Sequence, residues 1–297
     1  MLLAITGAAG FVGRAVVRQL AERHPEVELL LADREVAGLD GHETLAGDLA
    51  DPAVIAALTA PRVDAVLHLA ALPGGAAERN PEASRAINLD VPLALIEAMR
   101  GRRLVIAGSI AVFGGALPDP VDDATVPTPT SVYGTHKRMV ELAFADAVRR
   151  GAVSGFALRL PGIVARPSAA GGFGSAFLSD IFHTALAGTP LCVPVAMDAT
   201  SWLMSVRCCA ANLVAAALSE RTAQEAVTLP ALRVTIGDLV AELARHGDVS
   251  GIRFEEIPAT RATFGSYPDL TTARADSLGF RHDGGLTQLV ETVLADL

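Results

Sequence analysis

"LLAITGAAGFVGRAVVRQLAER", residues 2–23, decides the fold. "LLAIT" predicts a buried strand. "GFVGRAVVRQLAER" predicts a helix with an apolar stripe at Val12, Val16, Val17 and Leu20. Between them Gly7, Gly10 and Gly13 stand in a GxxGxxG spacing. Glycines at a strand-to-helix junction make a tight turn, admit a pyrophosphate to bare backbone, and let helix pack on strand. The helix N-terminus then turns its partial positive charge toward the phosphates. A glycine-rich turn also has purely structural uses, so the context has to decide.

Working outward, the rhythm of strand and helix continues. "VELLLAD" (27–33), "VDAVLHLAA" (63–71), "RLVIAGS" (103–109) and "GFALRLPGIV" (155–164) predict strands. "PAVIAALTA" (52–60), "INLDVPLALIEAMR" (87–100) and "SVYGTHKRMVELAFADAVRR" (131–150) predict helices. Strands of solid Val, Leu, Ile and Ala have both faces covered. Alternation at this rhythm means right-handed crossovers and a parallel sheet. The expected fold class is α/β: a Rossmann-type doubly wound parallel sheet with a smaller C-terminal α/β substrate lobe. The expected division is 1–165 for the first domain, joined by part of 201–235, and 166–297 mainly for the second. In the latter, "RPSAAGGFGS" (166–175) predicts a loop. "AFLSDIFHTALAG" predicts a helix stopped at Gly188, and "VTIGDLVAELARHG" one capped by Thr235. "GIRFEEIP" predicts a strand and the tail two short helices.

Composition narrows the function classes. Over half of the 297 residues are hydrophobic, which supports a well-buried globular protein. Net charge is −9 and no Lys/Arg block stands out, so nucleic acid is not an expected partner. Cys192, Cys208 and Cys209 show neither paired nor metal-ligand spacing, so no disulfide framework and no metal are expected. The start lacks a positive region before its short apolar run, so it does not read as a signal peptide. No run reaches membrane-spanning length. The expectation is a cytoplasmic protein with no membrane partner.

Context strengthens the phosphate reading. Asp33 ends the second strand, twenty residues after Gly13. A carboxylate there accepts both ribose hydroxyls of NAD and repels a 2′-phosphate; Arg34 beside it leaves some room for NADP. Asp48 follows a short extended stretch, where it either reaches an adenine or caps the next turn.

A second motif supplies chemistry. Tyr133 stands four residues before Lys137, so on a helix both side chains share a face. A free phenol ionises near pH 10. A nearby ammonium, helped by a cationic nicotinamide, favours the phenolate by about 3–4 kcal/mol if it lowers that value by about 2–3 units. Tyr133 then takes a hydroxyl proton as hydride leaves. Ser109 ends a strand at the sheet's C-terminal edge, where open α/β folds bind ligands. Its hydroxyl can donate to the oxygen that becomes the carbonyl. His68 reads as a packed strand histidine, and Asn88 as either a structural hydrogen bonder or part of a proton path.

"TGAAGFVG", "LHLAA", "INLD", "AGSIAVFG", "SVYGTHK" and "LRLPGIVARP" together resemble the ordered motifs of the extended short-chain dehydrogenase/reductases, the NAD-dependent epimerase/dehydratase superfamily. The resemblance covers nearly the whole chain. It implies NAD as cofactor, with NADP the weaker alternative. It implies Gly7, Gly10, Phe11, Val12 and Gly13 at the pyrophosphate, Asp33 at the adenosine ribose, and Asp48 and Leu49 at the adenine. Leu69, Ala70 and Ala71 would flank the cofactor, and Ser109, Tyr133 and Lys137 would form the catalytic set, with Tyr133 and Lys137 also reaching the cofactor. Phe113 stands where the superfamily usually has Tyr, and "LPGIVARP" lacks its usual Asn; both weigh against a nucleotide-sugar substrate.

The stretches "SVYGTHKRMVE", "RLPGIVARP", "SWLMSVR" and "RVTIGDLVAEL" resemble the D-erythronate dehydrogenase branch, with uronate dehydrogenases the nearest competitor. The implied substrate is a small sugar acid whose carboxylate needs a cationic partner. Arg166 is the first candidate and Arg207 the second; each could instead form a surface salt bridge. The loop 72–76 is expected to lend backbone groups to the substrate. Helices near 88–100 and 132–149 carry Leu93, Ile96, Met139, Leu142 and Phe144 on more than one face. In the superfamily such helices pair about a twofold axis, so a homodimer is expected.

Overall fold

The computed structural model describes residues 1–39, 41–167 and 174–297. Most of the loop expected at 166–175 therefore lies outside the described residues. Along the chain run β1 (Leu2–Thr6), α1 (Phe11–Arg23), β2 (Glu28–Asp33), β3 (Glu43–Ala46), α2 (Pro52–Leu58), β4 (Ala65–His68), α3 (Gly74–Arg79) and α4 (Pro81–Arg85). A π-helical turn, Ala86–Asp90, joins α4 to α5 (Val91–Ala98). Then come β5 (Arg103–Ser109), a 3₁₀ turn (Ile110–Val112), α6 (Val132–Arg149) and β6 (Ser154–Leu160). The remainder is β7 (Gly162–Val164), α7 (Phe177–Ala187), β8 (Leu191–Val193), β9 (Thr200–Ser205), α8 (Val206–Leu218), β10 (Val227–Thr228), β11 (Leu232–Thr235), α9 (Ile236–Leu243), β12 (Ile252–Phe254), α10 (Pro258–Phe264), α11 (Ala273–Leu278) and α12 (Leu286–Asp296).

These elements form two compact units. The first holds Met1–Phe113, Pro127–Leu160 and Ala210–Thr228; the second holds Gly114–Val126, Pro161–Cys209 and Leu229–Leu297. The sequence reading puts the division at 165/166 and keeps 114–126 with the first. In the structure the chain passes to the second unit at Pro161 and visits it once earlier.

In the first unit seven parallel strands lie in the order β3-β2-β1-β4-β5-β6-β10. This is the doubly wound sheet expected. The order reverses between β1 and β4, and ligands of such sheets bind at that switch point, outside the carboxyl ends of the strands. Thr6, Asp33, His68 and Ser109 are the last residues of β1, β2, β4 and β5 on that side. Both sheet faces are covered, so β1 and β4 are buried along their whole length. Helix α1 buries Gly13, Val16 and Leu20, while Val12 and Val17 are half-buried at the edge of the stripe.

Three local readings change. "GFALRLPGIV" is two strands: β6 joins the seven-stranded sheet, and β7 joins a separate sheet of order β11-β9-β7. Pro161 between them has no N–H to give a ladder and ends the first strand. The loop at 72–76 is helical from Gly74 onward. The helix expected from residue 87 starts earlier, at Pro81, and passes through the π turn.

Helix α6 starts at Ser131, whose side chain accepts the Gly134 N–H, and buries Gly134, Lys137, Val140, Glu141, Phe144 and Ala147 at helical spacing. Phe144 and Ile96 belong to the core, whereas Leu93, Met139 and Leu142 are exposed. Glu141 is 3% exposed and grips Arg159 of β6 through two bonds, 2.8 and 2.9 Å. Arg159 also lies over the Phe113 ring, 5.1 Å from its centroid. This pairing locks the helix to the sheet two strands from the switch point.

The second unit has its own core, built from residues such as Phe177, Ile181, Phe182, Leu239, Leu243, Leu289 and Val293. Its three-stranded sheet runs antiparallel between β11 and β9 and parallel between β7 and β9. Strands β12 and β8 pair separately. No helix among the described residues is long and apolar enough to cross a membrane.

Glu141→Leu leaves the Arg159 guanidinium buried without its carboxylate. It should cost about 3–5 kcal/mol in urea unfolding, and Glu141→Leu/Arg159→Met should recover most of the loss. A single variant as stable as wild type would show that the pair does not lock α6.

Candidate active site

The first unit contains a cavity of about 280 Å³ at the switch point. It is lined by the glycine turn at Gly7 and Gly10, by Asp33 and Arg34 at the end of β2, by Gly47 and Leu49 after β3, by Leu69–Leu72 after β4, and by Ile87. Its floor is bare backbone by necessity. Gly7 has φ +70°, and a Cβ there would sit 2.7 Å from the Ala70 nitrogen. A Cβ on Gly13 would sit 2.2 Å from the Gly7 carbonyl oxygen. Gly7 and Gly10 thus form the open turn, and Gly13 lets α1 press against it. Gly10 is the cap residue of α1, so Phe11 and Val12 carry N–H groups of the first turn, where a helix lacks internal acceptors.

Asp33 is fixed at the rim by two backbone donors. The Ala9 N–H reaches one carboxylate oxygen at 3.0 Å and the Arg34 N–H the other at 2.8 Å. A glycine turn, a helix N-terminus, a carboxylate at the end of β2 and an apolar wall match the parts of a dinucleotide: pyrophosphate, ribose and rings. Asp48 does not line this cavity. Its carboxylate folds back on the Ala50 N–H at 2.9 Å, which is the turn-capping alternative, while the adjacent Leu49 lines the wall. Gly47, Leu72 and Ile87 also line it; sequence reasoning missed them because they carry no chemical signature. Asn88 holds Leu72 in place, accepting its N–H at 2.8 Å and donating to its carbonyl at 2.9 Å.

Ser109 ends β5, and the start of α6, with Tyr133 and Lys137, packs against that end. The Ser109 hydroxyl oxygen caps the 3₁₀ turn by accepting the Ala111 N–H at 3.1 Å, which leaves its proton to donate. Tyr133, half-buried, is in the first turn of α6. The next residue is the reason α6 can come so close: a Cβ on Gly134 would fall 2.1 Å from the Ala111 carbonyl oxygen. One turn on, Lys137 is 3% exposed and donates to the Ala107 carbonyl at 2.8 Å. Its Nζ lies 5.6 Å from the centre of the Tyr133 ring. Contacts at Ala107 and Ala111 thus bracket Ser109. Burial pushes the lysine down to about 8, and Glu141 opposes the fall, so the ammonium form prevails at neutral pH. The arrangement puts a hydroxyl donor, a phenol and a buried ammonium at one edge, beside the cavity that Leu69–Leu72 line.

His68 is a packed strand residue, as the sequence reading has it. It is 1% exposed, with Nδ1 2.8 Å from the Thr6 hydroxyl. Burial, with the Lys137 charge adding to it, pushes its ring down to about 3.

Arg166 and Arg207 belong to the second unit. The Arg166 guanidinium donates to the Ser175 hydroxyl at 3.1 Å, and its carbonyl accepts from His183 Nε2 at 2.7 Å. Arg207 is held on the carboxylate of Asp296 in α12. That is the surface salt bridge weighed as its alternative role.

The sequence profile of the NAD dependent epimerase/dehydratase family matches residues 3–222. D-erythronate dehydrogenase of Cupriavidus necator is 34% identical over 319 aligned positions, covering 100% of this chain and 98% of that one. Mitochondrial L-threonine 3-dehydrogenase of Bos taurus is 27% identical, covering 98% and 81%. A crystal structure of a nucleoside-diphosphate-sugar epimerase from Agrobacterium tumefaciens superposes with a TM-score of 0.89 at 31% identity, covering 100% and 94%.

The buried His68 makes stability depend on pH. Its folded value of about 3 lies below the ordinary 6.5, so between these the unfolded chain takes up a proton that the folded chain refuses. The contribution is complete above pH 6.5 and declines on acidification toward about 3, by roughly 1.4 kcal/mol per pH unit. Between pH 7 and 5 this amounts to about 2 kcal/mol in all, and His68→Asn should lack that loss in urea titrations at the two pH values. Equal losses would contradict it.

Proposed function

The chain belongs to the NAD dependent epimerase/dehydratase family and is an NAD-dependent oxidoreductase; from that premise we propose that it oxidises a secondary hydroxyl of a small sugar acid, a four-carbon aldonate like D-erythronate. The observation that carries this reading is the full-length similarity to the Cupriavidus necator D-erythronate dehydrogenase.

Gly7, Gly10 and the first turn of α1 would hold the pyrophosphate, and Asp33 the adenosine ribose. Asp33 disfavours a 2′-phosphate, which makes NAD the preferred form. When bound, NAD supplies the hydride acceptor. In this reading Ser109 donates its proton to the reacting oxygen and orients it. Tyr133 removes the hydroxyl proton as a general base, and the Lys137 ammonium stabilises the phenolate. As the alcohol becomes a carbonyl, Ser109's hydrogen bond follows the oxygen. Arg166 is proposed to pair with the substrate carboxylate; only five residues of chain separate it from Leu160, the register partner of Ser109. The exposed Leu93, Met139 and Leu142 support pairing of α5 and α6 with a second copy as a homodimer. A cytoplasmic location accords with the absence of a membrane-crossing helix among the described residues.

A second reading, oxidation of the secondary hydroxyl of L-threonine, has the bovine relative behind it. NADH absorbance on a panel of C4 to C6 aldonates, uronates and L-threonine separates the two. The highest kcat/KM should fall on a four-carbon aldonate. Tyr133→Phe should lose about 10²–10⁴-fold in turnover while still binding NADH. Turnover of L-threonine alone, or a fully active Tyr133→Phe, would overturn the respective parts of the reading.

A further inference from the structure

Residues 72–88 pass across the start of α6 and touch it repeatedly. A Cβ on Gly74 would lie 3.9 Å from the Tyr133 side chain. Glu78 accepts the Val132 N–H at 2.7 Å, capping α6 from outside. Ser84 of α4 and His136 of α6, 52 residues apart, meet at 2.9 Å through Oγ and Nδ1. His136 stands between Tyr133 and Lys137 in sequence, and its ring faces this segment instead of the sheet.

Counting protons sets the direction of the Asn88 bonds. Asn88 has two amide hydrogens; one goes to the Leu72 carbonyl at 2.9 Å, the other to Ser84 Oγ at 3.0 Å. Its Oδ1 takes the Leu72 N–H at 2.8 Å. Ser84 Oγ therefore accepts from Asn88 and keeps its own proton, which it can give to Nδ1 of a neutral His136 protonated on Nε2. The result is one continuous chain: Leu72 on the cavity wall, Asn88 in the π turn, Ser84 in α4 and His136 in α6. π turns inside helices commonly mark functional positions, and here the turn presents Asn88 to Leu72 and Ile87 to the cavity.

We propose that His136 is a positioning residue that, held neutral by Ser84, couples the cofactor-cavity wall at Leu72 to the helix carrying Tyr133 and Lys137, and that protonation of its Nδ1 releases this coupling. The proposal deepens the dehydrogenase reading and rests on α6 as the helix that carries the base. A proton on Nδ1 would set an N–H against the Ser84 O–H. The serine proton would have to turn away, and Ser84 would be left accepting from both neighbours. The charged groups facing the ring are Glu78 of α3, Arg85 of α4 and Asp90 of the π turn. Burial is the main influence holding the imidazole below its ordinary value; Asp90 opposes it, Arg85 adds to it, and Glu78 opposes it.

The test is the NADH dissociation constant, read by fluorescence from pH 8 down to pH 5. In wild type, affinity should fall about 2- to 10-fold on acidification, the worth of one neutral hydrogen bond. His136→Asn puts an amide oxygen where Nδ1 was and cannot titrate. It should match wild type at pH 8 and stay flat. His136→Leu and Ser84→Ala should be flat and weaker by a similar factor throughout, and the double variant should be no weaker than either. Circular dichroism checks folding; if His136→Leu does not fold, Ser84→Ala carries the same comparison. An acid loss persisting in His136→Asn, or wild-type affinity in Ser84→Ala at every pH, overturns the proposal. Tyr133→Phe should keep the pH dependence of NADH binding. If it also keeps turnover, the base assignment fails while the coupling stands.

Discussion

A lysine ammonium buried under the end of β5 is the constraint on which the active edge depends. Burying a charge is costly unless it is hydrogen-bonded or paired. Lys137 meets that cost with the Ala107 carbonyl, 2.8 Å away, and with the field of Glu141 one turn on. Those partners exist only if α6 lies tightly against β5. The glycine at 134, the Ser131 cap and the Glu141–Arg159 pair each secure that approach. The consequence is electrostatic. A nearby ammonium favours the charged form of a phenol.

The cofactor side rests on backbone shape instead of charge. Gly7 must adopt a left-handed turn, and Gly13 must have no side chain, or α1 could not start at the switch point of the sheet. The same turn approaches Ala70, so the wall made by Leu69–Leu72 is set against it. Asn88 then fixes the far end of that wall. Cavity and Tyr133 are thus joined twice, through the sheet at β4 and β5 and through the 72–88 segment that meets His136.

Much of this was legible in the sequence. Strands buried on both faces are solid apolar runs, and the glycine trio with Asp33 points to the turn and carboxylate that line the cavity. Tyr133 and Lys137 were legible because helical spacing alone puts them on one face. What stayed hidden depends on distant partners. "GFALRLPGIV" is apolar throughout, so only the three-dimensional ladder shows that Pro161 divides it between two sheets. Gly74 and Gly75 read as loop, yet they open α3, packed beside Tyr133 of the distant α6. The Ser84–His136 contact spans 52 residues and leaves no local pattern. Asp48 and Arg207 show the converse: a carboxylate or guanidinium at a suggestive position is satisfied by Ala50 or Asp296 nearby.

The central claim is that Lys137 makes the Tyr133 phenol a base near neutral pH. The chain has two tyrosines, and burial pushes the other, Tyr267, up to about 12. Phenolate absorbance during a pH titration of the NAD-bound protein therefore reports on Tyr133 alone over the lower range. One equivalent of phenolate should form well below the value of about 10 for a free phenol. It should vanish in Tyr133→Phe and move up to about 10 or beyond in Lys137→Met. A wild-type titration that shows no phenolate until about pH 10, or one unmoved by Lys137→Met, would contradict the claim.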